Sequence, residues 1–82
     1  MKKKIIILGA GESGVGAATL AQQQGFEVFV SDLSEIKPQY KSMLIDNKIE
    51  FEEGTHEGVL NLTRFQNVLG LVEVIKNINH YV

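Results

Sequence analysis

The stretch Ile5-Ile6-Ile7-Leu8-Gly9-Ala10-Gly11-Glu12-Ser13-Gly14 limits the chain more than any other. An apolar run meets three glycines in a G-x-G-x-x-G spacing, and a helical pattern then begins. This reads as a buried strand, a tight turn and the first turn of a helix. Gly9 lets the chain turn sharply off the strand. Gly11, without a side chain, lets a pyrophosphate approach the backbone. Gly14 lets the new helix pack closely on the strand. The helix N-terminus adds unpaired N–H groups and the positive end of its dipole. Ser13 can cap the first turn or donate to a ligand. The feature is a phosphate cradle by design, so nucleotide binding is the leading expectation.

Its neighbours make the match more specific. Val15, Ala18, Leu20 and Ala21 continue a helix, and Phe26-Glu27-Val28-Phe29-Val30 forms a second apolar run ending at Asp32. That acid lies 21 residues after Gly11, about where a ribose-binding acid is expected. The competing reading is a βαβ unit whose glycines serve only tight packing.

Size and composition set outer limits. The chain has 82 residues, enough for one domain that buries only about 60% of its unfolded surface. Hydrophobic content of 44% and charged content of 22% fit a globular protein. A net charge of −2 gives no case for nucleic acid as a partner, and Lys2-Lys3-Lys4 reads as a solvated entry to the first strand. The absence of cysteine excludes disulfides, thiolate zinc sites and cysteine nucleophiles. No apolar run reaches the ~18 residues of a membrane span. The basic start is broken too early by glycines to serve as a signal peptide, so no membrane and a cytoplasmic location are expected.

The elements follow in order. Strands are predicted over 3–8, 26–31 and 49–53, and helices over 13–24 and 38–47. Gly25 closes the first helix and Pro38 opens the second, whose inner face is Tyr40, Met43 and Leu44. The β-α-β-α-β pattern predicts an α/β fold, a Rossmann-like half unit with a parallel sheet of three, possibly four, strands in the order 3-2-1. Its ligand then sits beyond the carboxyl ends of the strands. The glycine turn, the loop from Asp32 to Ser34 and the turn from Gly54 to His56 meet there. Residues 1–58 form this unit, and 59–82 form an amphipathic segment. Within it, one helix over 60–78 fits the spacing of Leu62, Phe65, Leu69 and Val72, with Val72 to Ile75 as a fourth strand the alternative. The apolar stripe either covers the open edge of the first strand or joins its copy in a homodimer.

These words resemble a known family. Ile6 to Gly16, then Gly25 to Asp32, Ile36-Lys37-Pro38 and Ile49 to His56 are similar to the opening of the Mur ligases, nearest to the D-glutamate-adding branch. The likeness covers roughly residues 3–61. It implies binding of the uridine diphosphate end of UDP-N-acetylmuramoyl-L-alanine in peptidoglycan synthesis. It further implies that Glu12 and Ser13 touch the nucleotide or its phosphates, that Asp32, Leu33 and Ser34 recognise uracil and ribose, and that Gly54 and Thr55 lie on the phosphate side. The family's ATP-binding loop, metal site and D-glutamate domain are missing here, so ATP and magnesium are expected only for the parent enzyme. Residues 62–72 look unrelated to the family. The chain resembles a truncated N-terminal domain and alone is expected to be inactive.

The remaining residues divide between two roles. Asp32 either binds ribose or uracil, or only caps its turn. Glu12 should point to solvent, because its charge would repel a pyrophosphate. His56 is expected as a solvent-facing turn residue and His80 as incidental. Glu50 and Glu52 share one strand face, read as solvated, with Phe51 on the core side. An NAD(P)-binding module and a fragment without a ligand remain the rival functions.

Overall fold

The computed structural model describes residues 4–59 and the backbone of 72–75. The chain runs β1 (Lys4–Leu8), α1 (Glu12–Gln23), β2 (Glu27–Asp32), α2 (Pro38–Asp46), β3 (Glu50–Glu53) and β4 (Val72–Ile75). The first five elements match the predicted order, with boundaries shifted by about a residue, as helix and strand ends commonly are. The sheet is parallel, in the order β3-β2-β1-β4.

β1 is the centre of the sheet. It pairs with β2 through Lys4↔Glu27 to Leu8↔Ser31 and with β4 through Lys4↔Val72 to Ile7↔Ile75. Successive side chains of a strand point to opposite faces. Ile5, Ile6 and Ile7 are nevertheless all buried. A strand covered on both faces needs an unbroken apolar run, which is what the sequence supplies here. Ile5 and Ile7 join Val15, Ala18, Val30, Ile36, Leu44 and Ile49 in one core under α1 and α2. Alternation places Ile6, Phe29, Ser31 and Glu52 on the other face.

Val72–Ile75 settles one alternative. A single helix over 60–78 does not hold, because this stretch is a strand laid along β1. Two of its four residues are valine and one is isoleucine, which favour a pleated, half-buried surface. β1 is therefore an interior strand and not the unprotected edge expected of a three-stranded sheet. The rest of the predicted helix and the homodimer surface fall in 60–71 and 76–82, outside the described residues.

Both helices end in the same way. After α1, Gly25 has φ +92, its N–H donates to the Gln22 carbonyl at 3.0 Å, and Phe26 N–H reaches the Ala21 carbonyl at 3.1 Å. This is the paired closure in which a left-handed residue turns the chain back. After α2 the left-handed position is held by Lys48, φ 57, with Lys48 N–H on the Ile45 carbonyl and Ile49 N–H on Leu44. At the start of α2, Lys37 is extended and Pro38 sits in the first turn, as predicted. Leu44 is fully buried and Tyr40 packs against the core, but Met43 is 43% exposed and does not belong to the inner face. One turn of Leu44 with Tyr40 is enough to seat this nine-residue helix.

Candidate functional site

The carboxyl ends of β1, β2 and β3 bring the three predicted segments together. Gly9 leaves β1 with φ +110, and its N–H donates to the Ser31 carbonyl at 2.8 Å. The turn then passes so close under α1 that a Cβ on Gly14 would lie 2.0 Å from the Gly9 carbonyl oxygen. Gly14 thus has the packing role read from its spacing. Gly11 is exposed, and a Cβ there would meet no atom within 4 Å. It is the N-cap of α1 and, lacking a side chain, makes no capping bond of its own. Ser13 sits half-buried in the first turn, while Glu12 is exposed, as predicted. The first helical bond is Val15 N–H to the Gly11 carbonyl, 2.9 Å, and amides ahead of such a bond point out along the helix axis.

Asp32 ties two of the segments together. Its Oδ2 accepts from Ala10 N–H at 2.8 Å, and its Oδ1 accepts from Ser34 N–H at 2.9 Å. One carboxylate thereby fixes both the glycine turn and its own loop. Each oxygen still has a second lone pair, so structural and ligand roles are compatible. Leu33 is 66% exposed and Ser34 is exposed beside it. Gly54, at φ +78, donates its N–H to the Ser34 carbonyl at 3.3 Å and joins the third segment to the second. Thr55 is turned to its own backbone, its Oγ1 accepting from Glu57 N–H at 3.1 Å.

Between the glycine turn and the first turn of α2 lies a cavity of about 290 Å³, lined in part by Gly11, Glu12, Asp32, Ile36, Lys37 and Tyr40. The last three escaped the sequence reading, although Pro38 had already marked where α2 begins. A second hollow of about 240 Å³, around Phe26 and Phe29, lies at the opposite, amino ends of the strands. Parallel sheets do not bind ligands at that end.

The carboxylates of β3 behave differently from the prediction. Glu50 is exposed, as expected, and Phe51 packs against the core. Glu52 is not on a solvated face. Its Oε2 accepts from Ser31 Oγ at 2.8 Å, and its carboxylate accepts from Gly58 N–H at 2.9 Å and Val59 N–H at 3.1 Å. Residues 57–59 start a helical turn, and Glu52 caps it, placing negative charge at its positive end. His56 does not face solvent either; it is half-buried, with Nδ1 2.5 Å from Ser31 Oγ. The Ser31 hydroxyl has one proton to give; given to Glu52, it leaves the oxygen as acceptor for the Nδ1–H tautomer of His56. The Thr55 carbonyl lies 3.1 Å from the same hydroxyl. Serine, histidine and glutamate are also the parts of a nucleophilic site, but Ser31 is 0% exposed and cannot meet a substrate.

Glu53 forms the outer latch. It accepts from Ile36 N–H at 2.9 Å and pairs with Lys41 Nζ at 2.6 Å. The hydrogen bond from Lys41, helped by that from Ile36, holds its carboxyl below the ordinary carboxylate range. Among the described residues there is no group of three or more His, Asp or Glu side chains able to hold a metal ion, and no helix long and apolar enough to cross a membrane.

Comparison with known proteins bears on all of this. Residues 4–64 match the family described as the MurD N-terminal domain. The chain is 52% identical over 75 residues to the UDP-N-acetylmuramoylalanine--D-glutamate ligase of Bacteroides thetaiotaomicron, covering 92% of this chain and 15% of the relative. It is 47% identical over 77 residues to the ligase of the same name from Porphyromonas gingivalis, covering 94% and 16%. The corresponding ligase of Christiangramia forsetii is 52% identical over 56 residues, 68% and 13%. No solved structure matches the chain. The chain thus spans about 15% of the length of relatives such as the ligase of Bacteroides thetaiotaomicron. Matches of 75 and 77 residues extend past residue 61, so the segment read as unrelated is largely shared with these relatives. Glycine turn, Asp32 clasp and parallel sheet therefore stand in a chain that belongs to the MurD N-terminal domain family.

Proposed function

We propose that this chain holds the uridine diphosphate end of a UDP-N-acetylmuramoyl substrate for a D-glutamate ligase. The observation that carries the reading is the clasp at Asp32, which fixes the glycine turn beside the open cavity in a chain of this family. The diphosphate lies over Gly9, Gly11 and the first turn of α1, where backbone N–H groups and the helix dipole favour negative charge. Ribose hydroxyls or the uracil N–H donate to the remaining lone pairs of Asp32. Leu33 and Ser34 flank the base, and Gly54 and Thr55 close the phosphate side.

In the parent reaction, the substrate carboxylate takes the γ-phosphoryl group of ATP, releasing ADP and forming an acyl phosphate, and the D-glutamate amine then displaces phosphate to form an amide. The ATP, the magnesium and that chemistry belong to the parent's other domains. This chain binds and orients the substrate's handle, in the cytoplasm where nucleotide precursors are made.

Calorimetry on the 82-residue chain with UDP, UDP-N-acetylmuramate and NADH tests the reading. Binding of the two uridine nucleotides with none of NADH is the expected result; tight NADH binding without UDP would refute it. A ligase assay of the same chain should give no turnover above background.

A further inference from the structure

The cavity beside Asp32 has two chemically unlike walls. One is the glycine turn, whose backbone suits phosphate. The other is the first turn of α2, which contributes Tyr40. The cavity also carries the carboxylates of Glu12, Asp32 and Glu35 against the single ammonium of Lys37. On the α2 side Glu35 offsets Lys37 and leaves no net positive charge for a phosphate, whereas the glycine turn offers backbone N–H groups and the helix dipole. A nucleotide with its phosphates there must therefore extend its uncharged end across the cavity toward α2.

Tyr40 is the aromatic side chain among the residues lining that cavity. It is half-buried and packs against the hydrophobic core while also lining the cavity. Its Nα–H is bonded to the Lys37 carbonyl at 3.0 Å, and the adjoining Ile36 N–H is fixed by Glu53. A ring seated in this way is already ordered, so a base that stacks on it forfeits little side-chain entropy.

We propose that Tyr40 is the platform on which the nucleobase stacks, making it an affinity-determining residue for the nucleoside end of the ligand. The proposal rests on the uridine-nucleotide reading above. Stacking on an aromatic ring is a strong contact for a nucleobase, and every nucleobase has the π-face for it. A base-free phosphate ligand gains nothing from Tyr40.

The test measures UDP and inorganic pyrophosphate binding to the wild-type chain, Tyr40→Phe and Tyr40→Leu, with the Tyr40 ring resonances followed by NMR. UDP affinity should fall on the order of 10- to 100-fold in Tyr40→Leu and stay within about threefold in Tyr40→Phe. Pyrophosphate affinity should be equal in all three. UDP, but not pyrophosphate, should shift the Tyr40 ring resonances upfield in the wild type. Should Tyr40→Leu fail to fold, that wild-type ring shift decides. Wild-type UDP binding with no ring shift, or with unchanged affinity in a folded Tyr40→Leu, would overturn the role of Tyr40 alone. Failure of the wild type to bind UDP would overturn the uridine reading beneath it.

Discussion

Two glycines in one helix should respond in opposite directions to the same substitution. At Gly14 an added Cβ would lie 2.0 Å from the Gly9 carbonyl oxygen and 3.6 Å from Ile7 Cγ2. The first distance is about 1.5 Å inside an ordinary contact of ~3.5 Å. The clashing atom is backbone, held where Gly9 N–H bonds Ser31 at 2.8 Å, so it cannot swing away. Relief requires α1 to move off β1, which opens the packing of Val15 and Ala18 on Ile7. Overpacking of this kind costs about 1–3 kcal/mol and sometimes more; a clash with fixed backbone belongs at the upper end. At Gly16 nothing lies within 4 Å of the added Cβ, and the residue is exposed. There alanine contributes only its helix propensity, about 0.8–1 kcal/mol of stabilisation. The expected gap between Gly14→Ala and Gly16→Ala is about 4 kcal/mol, most of the stability of a small domain. Urea unfolding followed by circular dichroism reads it directly, with Gly14→Ala melting far earlier or failing to fold. A gap below about 1 kcal/mol would refute the close approach of α1 to the glycine turn.

Other substitutions probe the polar contacts. Ser31→Ala removes a fully buried hydroxyl that links Glu52 and His56, and should cost about 2 kcal/mol, or roughly 8–16 °C in Tm. A calorimetric melt checks it; a loss under 2 °C would show the hydroxyl to be idle. Glu53 has a folded pKa below its ordinary value, so its contribution is present at neutral pH and fades as pH falls through the folded value. The melting difference between wild type and Glu53→Gln should therefore be largest near pH 7 and shrink below about pH 4. Lys48→Gly relieves a left-handed residue and should stabilise the fold by about 0.5–1 kcal/mol in the same urea assay. Asp32→Ala releases the N–H groups of Ala10 and Ser34 and should weaken UDP binding at least tenfold in calorimetry.

Local signals carried the sequence reading as far as local signals reach. The glycine spacing located β1, the turn and α1, and Gly25 and Pro38 marked helix ends because left-handed and fixed-φ positions favour those residue types. β4 was harder. Its four residues sit where apolar spacing fits helix and strand alike, and what decides is pairing with Lys4 to Ile7, far away in the chain. Glu52 and His56 were misread for a similar reason. Their shared partner Ser31 lies 21 and 25 residues earlier, and no pattern within a strand or turn announces it. Spacing singles out Asp32 as a candidate ligand residue, but its bond to Ala10 appears only when the sheet is assembled. Tyr40 reads as core, and the packing bears this out; that it also lines the cavity follows only once α2 is placed beside the glycine turn.

The interior position of β1 has a consequence for the order of assembly. Lys4 is opposite Val72, so β1 finds its second neighbour 68 residues later. At 5–20 residues per second, that interval is about 3–14 s. Until then β1 can pair only with β2, and its other side offers free N–H and C=O groups to any extended chain nearby. Cutting the gene at residue 61 would make that interval permanent. A version ending there should aggregate through β1, whereas one that keeps Val72–Ile75 supplies the missing strand from within.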